Sequence, residues 1–237
     1  MSNQTLVFEP SGFNLNTIPG SGNSDVTVKE TGSAQSPIYT IRQFGTATVD
    51  GLGITGNTAS EKVVVTTSVD NFQGTLGAGA DIVELRGNVN NSSIELGGDV
   101  DRLTVNGTFT NSGVNAGGGS DWVLFKGAVS NSYIEGSSGN DLVEFKTDVN
   151  GSVVRLGTGN DDLRFLGDVT NTTVNLGGGQ DKLRIFDPNA DTTGLVIQGA
   201  SSDDLLIIGS TKYKFVGDFT WENLKDPNDD VRFGPTT

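Results

Sequence analysis

Apolar and polar residues alternate along most of this chain in short runs, and the same run returns every 20 residues. Five consecutive blocks share one register between Leu76 and Asn175. Each block contains two apolar residues separated by one residue, which is the spacing of one face of a half-buried β-strand. The pairs are Val83/Leu85, Leu103/Val105, Val123/Phe125, Val143/Phe145, Leu163/Phe165, Leu183/Ile185 and, after a two-residue insertion near Pro188, Leu205/Ile207.

A second set of apolar residues follows each pair. No block can bury its apolar residues alone, but blocks stacked at about 4.8 Å bury like residues on like residues. The pattern predicts an all-β fold, a β-roll-like parallel β-solenoid with two short strands per 20-residue coil and about eight coils. The second set comprises Val69, Val89, Phe109, Val129, Val149 and Val169, then Ile94, Val114, Ile134, Val154, Val174 and Val196.

In the coil around Trp122, this register assigns each side chain to one side of the strand. Successive residues of a strand point to opposite faces, so residues two positions apart share a face. The assignment places Val123, Phe125, Val129 and Ile134 in the interior and Trp122, Leu124 and Tyr133 on the outside.

Two polar rows share the same period and lie opposite the glycine-rich turns. Side-chain amides stacked in register can hydrogen-bond along the stack, so we expect a structural turn with a buried Asn ladder. An Asn-rich binding face is the alternative. One row is Asn71, Asn91, Asn111, Asn131 and Asn171, and the other, at the next position of the register, is Ser92, Ser112, Ser132, Ser152 and Thr172.

The ends of the chain lack the period and divide it into three segments. Residues 1–45 form an N-terminal docking or capping arm, residues 46–208 the solenoid, and residues 209–237 a C-terminal cap or docking segment. An uncovered terminal coil would expose a strand edge that invites aggregation. The aromatic tail residues therefore predict a capping hairpin or a docking surface; they are Tyr213, Phe215, Phe219 and Trp221.

Composition and charge exclude several kinds of site and partner. The chain has no Cys and no His, which excludes thiol chemistry, zinc-finger sites and His-based triads. Its net charge of 15 − 29 = −14 argues against nucleic acid or an anionic membrane as partner. Neither a basic-then-apolar leader nor about 18 consecutive apolar residues is visible, so we expect no membrane insertion.

The turn before the first strand of each block carries the candidate chemistry. It reads Gly-x-Gly-x-Asp in four blocks, and the Asp recurs in the others. Glycine lets carbonyl groups point into a tight turn, and Ca²⁺ takes six to eight oxygen ligands from carbonyls and carboxylates. The candidate residues are Gly77, Gly79, Asp81, Asp101, Gly117, Gly119, Asp121, Asp141, Gly157, Gly159, Asp161, Gly177, Gly179, Asp181 and Asp203.

This turn resembles the Gly-Gly-x-Gly-x-Asp-x-Leu-x nonapeptide of the RTX, or haemolysin-type, calcium-binding β-rolls. The resemblance covers residues 76–208 and implies Ca²⁺ held between successive turns by the Asp carboxylates and the backbone carbonyls. The motif here recurs every 20 residues instead of every nine. Asp99 also replaces the second Gly of one turn, and Ser137 and Ser201 interrupt two others.

A purely structural Asp ladder is the alternative to calcium. Carboxylates stacked about 4.8 Å apart repel by about 0.9 kcal/mol per adjacent pair in bulk water, and by about 3.5 kcal/mol at an effective dielectric of about 20. Bound calcium would offset this repulsion. An Asx-turn onto a backbone N–H would satisfy the hydrogen bonds but leave the repulsion in place.

Repetition of one site indicates structure more than catalysis. The adjacent carboxylates Asp161/Asp162 and Asp203/Asp204 point to opposite faces of a strand, so neither pair is a catalytic pair.

We expect a non-enzymatic structural protein, oligomeric and bound through residues 1–45 and 209–237 to other chains of an assembly. The Asn/Gly/Asp-rich repetition resembles that of phage structural proteins, so a virion surface component is the first expectation, as a capsid decoration or fibre of a bacteriophage. The alternative is a secreted RTX-like surface-layer, filament or adhesin protein of a bacterium.

Overall fold

A computed structural model describes residues 4–7, 26–33, 36–43, 48–226 and 228–235. Within these residues the chain forms β-strands and turns and no helix, wound into a parallel β-solenoid of about eight turns with a repeat of about 20 residues. The predicted fold class is confirmed. No helix in the described ranges is long and apolar enough to cross a membrane.

The strands are short because a turn interrupts each coil after two to six residues. The N-terminal half contains β1 (Gln4–Val7), β2 (Val26–Ser33), β3 (Ser36–Gln43), β4 (Val49–Asp50), β5 (Leu52–Thr55), β6 (Lys62–Val65), β7 (Val69–Asp70), β8 (Gln73–Thr75), β9 (Ile82–Leu85), β10 (Val89–Asn90), β11 (Ser93–Gly98), β12 (Arg102–Val105), β13 (Phe109–Thr110) and β14 (Gly113–Gly118). The C-terminal half contains β15 (Trp122–Phe125), β16 (Val129–Ser130), β17 (Tyr133–Ser138), β18 (Leu142–Phe145), β19 (Val149–Asn150), β20 (Val153–Arg155), β21 (Asp162–Phe165), β22 (Val169–Thr170), β23 (Thr173–Asn175), β24 (Lys182–Ile185), β25 (Val196–Gln198), β26 (Leu205–Ile208), β27 (Thr211–Gly217), β28 (Thr220–Asn223) and β29 (Val231–Arg232).

Three sheets form the sides of the solenoid. The first sheet has nine strands in the order β1-β5-β8-β11-β14-β17-β20-β23-β25, and the second has thirteen in the order β2-β3-β6-β9-β12-β15-β18-β21-β24-β26-β27-β28-β29. The third has seven, from β22 to β4. Most neighbours are parallel and pair each residue with the residue 20 positions later, as Trp122 pairs with Leu142.

Each coil therefore has three strands, where the sequence analysis counted two. Val89 and Asn90, for example, form their own two-residue strand between β9 and β11. Two residues are too few for alternation to reveal a separate strand, and a turn separates them from the Ile94 strand. The prediction has the apolar positions right, but it treats two of the three sides of the coil as a single strand.

The core is a column of like side chains inside the coils. Val123, Phe125, Val129 and Ile134 are buried as predicted, and Trp122 and Tyr133 lie half-buried on the outside. Leu124 points outward by alternation, yet only 7% of it is exposed, because its neighbours on the face cover it. Aromatic rings stack from coil to coil along Phe125, Phe145 and Phe165 with centroids 5.1 Å apart, and Phe109 packs against Phe125 in a tilted arrangement at 5.0 Å.

The register after Pro188 differs from the prediction. Leu183 pairs with Leu206, a separation of 23 residues, so the insertion is 23 − 20 = 3 residues and not two. Leu206 is fully buried, while Leu205 and Ile207 are half-exposed on the outer face, contrary to the predicted inward pair. The run Leu205–Ile208 is continuously apolar, so its alternation could not be read from the sequence.

The two ends close the solenoid in different ways. At the C-terminus, β27, β28 and β29 continue the second sheet with antiparallel pairing, and Tyr213 and Trp221 are buried against the core. The tail therefore forms a hairpin, and its role as a cap or as a docking segment stays a prediction. In the segment 1–45, β1 and β3 already pair in parallel with coils of the solenoid. β2 pairs with β3 in antiparallel orientation, and the rest of that segment lies outside the described residues.

Candidate functional site

The glycine-rich turns stack one on another at the corner between the first and second sheets. All eight predicted glycines of these turns have positive φ angles, between 91° and 140°. A side chain at Gly117 would meet the carbonyl oxygen of Gly97 in the preceding coil. Gly117 has to be glycine because its backbone is left-handed and the preceding coil lies directly against it. Asp99 and Ser137 adopt positive φ at two equivalent positions, 74° and 77°.

The Asp residue that follows each turn points inside the coil and contacts the previous coil. Asp101 Oδ1 accepts a hydrogen bond from the backbone N–H of Asp81 at 2.7 Å, and Asp121 Oδ1 accepts one from Asp101 at 2.7 Å. The same bond, at 2.7–2.9 Å, recurs along the stack from Glu61 N–H to Asp204 Oδ1. We call Glu61, Asp81, Asp101, Asp121, Asp141, Asp161, Asp181 and Asp204 the acidic ladder.

The structure places six of the seven predicted Asp residues on this ladder. The prediction for Asp203 is wrong, because Asp203 is exposed. Asp204 takes the ladder position, since the insertion is one residue longer than predicted. Glu61 is the first member of the ladder and donates its own N–H to Asp81 Oδ1. Its position 20 residues before Asp81 is the sequence signal that could have identified it.

The second carboxylate oxygen has no partner on most members of the ladder. Oδ2 of the six Asp residues from Asp81 to Asp181, and Oε2 of Glu61, are buried without a hydrogen bond. At Asp141 this oxygen lies beside Gly136, on the interior side of the turn. A buried oxygen that carries charge without a partner is costly, so the charged form of these groups is disfavoured.

Burial raises the pKa of the ladder carboxyls well above the ordinary range for Asp. The pKa of Asp81 rises to about 8, mainly through burial, and the neighbouring carboxyl group of Glu61 raises it further. It rises to about 7 at Asp101 and Asp141 and to about 6 at Asp161 and Asp181, again mainly through burial. Repulsion from neighbouring members acts in the same direction.

The calcium prediction can be compared with this geometry. The unpartnered oxygens are hard ligands of the kind that Ca²⁺ prefers. However, no three acidic side chains in the described ranges come together to hold one ion, and each ladder member from Glu61 to Asp181 offers only one free oxygen. The carbonyls of Gly77 and Gly157 already accept hydrogen bonds from the next coil. As placed, the residues do not form the six-to-eight-oxygen shell of Ca²⁺, and calcium binding stays a prediction.

A second ladder, of hydroxyl groups, performs the same structural task without charge. The N–H of Ser92 donates to Ser112 Oγ at 3.0 Å, and Ser112 Oγ donates to the carbonyl of Thr110 at 2.7 Å. Each hydroxyl thus accepts one bond and donates one. The carboxylates of the acidic ladder also accept a backbone N–H, but most of them keep a second oxygen without a partner. This unpartnered oxygen distinguishes the acidic ladder chemically from the hydroxyl ladder.

The Asn row is exposed, which corrects the prediction of a buried amide ladder. Asn71, Asn91, Asn111, Asn131 and Asn171 all have φ angles of 49–52°, and Gly151 replaces Asn at the one remaining position between them with a φ of 61°. Asn tolerates the left-handed conformation better than other residues with side chains. The row therefore reflects the conformation of the turn, as the structural interpretation expected, and not burial of amides.

A pocket of about 460 Å³ lies at the C-terminal end of the acidic ladder. Its lining includes Lys182, Lys214, Asp203 and the last two ladder residues, and it contains no Ser, Thr or Tyr. Asp162, one of the adjacent carboxylates considered above, instead forms ion pairs with Arg164 and Arg184. We assign no catalytic reaction to this pocket or to Asp162.

No family model, no curated protein and no solved structure matches this chain. The function has to be inferred from the geometry of the coils.

Proposed function

We propose that this chain is a non-enzymatic structural protein, a rod that acts by being placed in an extracellular assembly. One observation carries the proposal: the residues repeated in every coil make contacts between coils. The Asp carboxylate and the Ser hydroxyl accept N–H groups of the preceding coil, and Gly and Asn supply the turn conformation. The repetition is thus accounted for by stacking, and no copy of the repeat is reserved for a substrate.

The assembly is proposed on the sequence resemblance described above. A virion surface component, a capsid decoration or fibre of a bacteriophage, is the first candidate. A secreted RTX-like surface-layer, filament or adhesin protein of a bacterium is the alternative. Both place the rod outside a cell and both use it through contacts with other chains, including the segments 1–45 and 209–237.

Immuno-electron microscopy with antibodies to the purified chain would test the location. We expect gold label on the outside of virions or, for the alternative, on the bacterial surface. Label confined to the cytoplasm, with none on particles or cell envelopes, would contradict the proposal.

Calcium remains part of this proposal through the unpartnered oxygens of the acidic ladder. A ligand that binds only the folded state raises stability by about 2.7 kcal/mol per site at a hundredfold excess over its Kd. Thermal unfolding at pH 8 with chelator and then with millimolar Ca²⁺ would detect this. An unchanged midpoint would leave the ladder as structure alone, and Mg²⁺ at the same concentration is the control for ionic strength.

A further inference from the structure

Lysine and arginine are concentrated on one side of the solenoid. The outer face of the second sheet carries eleven of the fifteen Lys and Arg residues of the chain, each at a position that alternates with a buried residue. We call this surface the basic face. Its cations are Arg42, Lys62, Arg86, Arg102, Lys126, Lys146, Arg164, Lys182, Arg184, Lys212 and Lys214.

Acidic residues on this face are fewer than the cations. Among described side chains they are Glu84, Glu144, Asp162 and Glu222, so the face carries 11 − 4 = +7. Glu84, Glu144 and Asp162 form ion pairs with some of the arginines and with Lys146. In the described part of the chain, no ion pair involves the remaining lysines of the face, which are Lys62, Lys126, Lys182, Lys212 and Lys214.

The other two sides have the opposite charge. Across the described residues of the first and third sheets and the row directly before the third-sheet strands, which includes Asp148, Asp168 and the aligned Asp191, Arg155 is the single cation. We call these two sides together the acidic side. The first sheet carries 1 − 2 = −1 and the third sheet with its preceding row carries −5, so the summed charge is 1 − 7 = −6. Its acids are Asp50, Asp70, Glu95, Glu135, Asp148, Asp168 and Asp191.

The formal charge of the chain conceals this arrangement. Eight of the 29 carboxylates belong to the buried acidic ladder, which leaves 21 elsewhere and a charge of 15 − 21 = −6 for the rest of the molecule. Of that remainder, the basic face carries +7 and the acidic side −6, and the charges assigned to neither surface sum to −7. The chain is therefore strongly dipolar across its axis, and two copies can attract each other although each is net negative.

The two charged surfaces also have the same spacing along the rod. Lys126 and Lys146 occupy equivalent positions of successive coils, as do Asp148 and Asp168. Both rows therefore repeat at the coil spacing of about 4.8 Å. Two rods lying side by side would bring unlike charges together over several coils without any distortion of either rod.

An apolar patch lies within the basic face. Trp122 and Leu142 are neighbours on successive strands and are half-exposed, Leu124 packs beside them, and 42% of Ile82 is exposed. The guanidinium of Arg102 lies 3.9 Å from the centre of the Trp122 ring. An apolar centre within a charged rim is the usual anatomy of a protein interface. On the acidic side, Tyr133 and Val153 form a matching outward pair on successive strands.

We propose that the basic face binds the acidic side of a second copy of this chain, so that rods associate side by side. The two surfaces differ, so the contact is heterologous and leaves a free basic face and a free acidic side at the ends of each assembly. Association can then continue into a layer or bundle. This inference rests on the proposed structural role and specifies the chemistry of one of its contacts. A polyanion would also meet the basic face, but the acidic side of the same rod would repel it.

Sedimentation velocity of the full chain would test the proposal at low and high salt. Exposed charges attract over about 30 Å at 0.01 M ionic strength and over about 3 Å at 1 M. We expect the wild-type chain to form concentration-dependent oligomers at low salt that dissociate at high salt. The double variant Lys126→Glu/Lys182→Glu should weaken this association by about tenfold or more, because both lysines are exposed and unpaired on the face.

The matched control carries the same change in charge elsewhere. Lys225→Glu/Arg232→Glu alters two exposed cations of the tail and should associate like the wild type. A reciprocal variant, Glu95→Lys/Glu135→Lys, should fail to associate alone but should bind the Lys126→Glu/Lys182→Glu variant when the two are mixed. Circular dichroism of all variants establishes that each one is folded.

Two outcomes would overturn the inference. One is a wild-type chain that stays monomeric at low salt and at the highest concentration reached. The other is a monomeric chain whose basic face is retained by a heparin column and released by Lys126→Glu/Lys182→Glu, which would assign the face to a polyanion. Neither outcome affects surface labelling by antibodies, so failure of side-by-side association is distinguishable from failure of the structural role.

Discussion

A single side-chain position in each coil decides how this protein responds to pH. The ladder carboxyl has one oxygen that accepts a backbone N–H and one that is buried without a partner. The hydrogen bond favours the ionised form, but burial opposes it more strongly, so the pKa is raised. The proton is thus held more tightly in the folded state than in the unfolded chain.

The direction of the pH dependence follows from this difference. The unfolded Asp has a pKa of about 3.9, below the folded values of about 6 at Asp161 and about 8 at Asp81. The stabilising contribution is fully present below about pH 4 and is lost as the pH rises through the folded pKa values. Urea unfolding should therefore give a lower free energy of unfolding at pH 9 than at pH 5.

The double variant Asp101→Asn/Asp141→Asn provides the control. Asn retains a side-chain oxygen for the N–H but does not ionise, so the slope of stability against pH should become shallower. A free energy of unfolding that rises with pH in the wild type, or an unchanged slope in the variant, would contradict the assignment of the pH dependence to the ladder.

The turn at Ser137 stores backbone strain. Its φ of 77° lies in the left-handed region, where the equivalent positions Gly117 and Gly157 carry no side chain. The left-handed conformation costs a residue with a Cβ about 1–2 kcal/mol. Ser137→Gly should therefore raise the free energy of unfolding by about 1 kcal/mol in chemical denaturation, less what is lost with the hydrogen bond from Ser137 Oγ to Asn115.

The reverse change serves as the comparison. Gly117→Ala places a Cβ against the carbonyl of Gly97 and should destabilise the chain. If Ser137→Gly were destabilising, the strain assigned to this turn would be wrong.

At the scale of the element, stacked aromatic rings join one coil to the next. Phe145 lies between Phe125 and Phe165, with ring centroids 5.1 Å away on each side. Its removal would leave a cavity shared by three coils. Phe145→Ala should reduce the free energy of unfolding by about 3–5 kcal/mol.

Phe186 is the matched control for this substitution. It belongs to an outward row, and 48% of its surface is exposed. Phe186→Ala should change the free energy of unfolding by less than about 0.5 kcal/mol, as surface substitutions usually do. Equal losses at both positions, measured by chemical denaturation, would show that the stack contributes nothing specific.

At the scale of the whole molecule, the C-terminal cap determines whether the second sheet has an open edge. β27 pairs with β26 in antiparallel orientation, and the carbonyl of Phe233 accepts the N–H of Ile197 at the edge of the first sheet. A chain that ends at Ser210 should expose both edges and aggregate, which light scattering during a thermal ramp would detect. A chain lacking only residues 236–237 is the control, and equal solubility of the two would contradict a capping role.

The repeat itself was predictable because it is local information. Alternation in a single block specifies which side chains are buried, and the 20-residue period specifies which ones stack, so the parallel solenoid and six of the seven Asp positions followed from the sequence. The seventh Asp position could not be predicted, and Asp203 was chosen in place of Asp204. Four consecutive apolar residues, 205–208, hide which residues of the strand after the insertion point inward. Only pairing with the preceding coil assigns Leu206 to the interior and Asp204 to the ladder.

The tertiary structure decided what the repeated residues do. The sequence placed Asp121 in a turn, but whether its carboxylate points outward to an ion or inward to an N–H depends on the path of the neighbouring coil. Likewise, a net charge of −14 is a sum over the chain, whereas the division into a basic face and an acidic side depends on which of three sheets each residue joins. Periodicity predicts stacking because residues at equivalent positions of successive repeats lie on one another in the folded coils. Direction and charge pattern depend on residues of other strands, and only the folded coil brings those together.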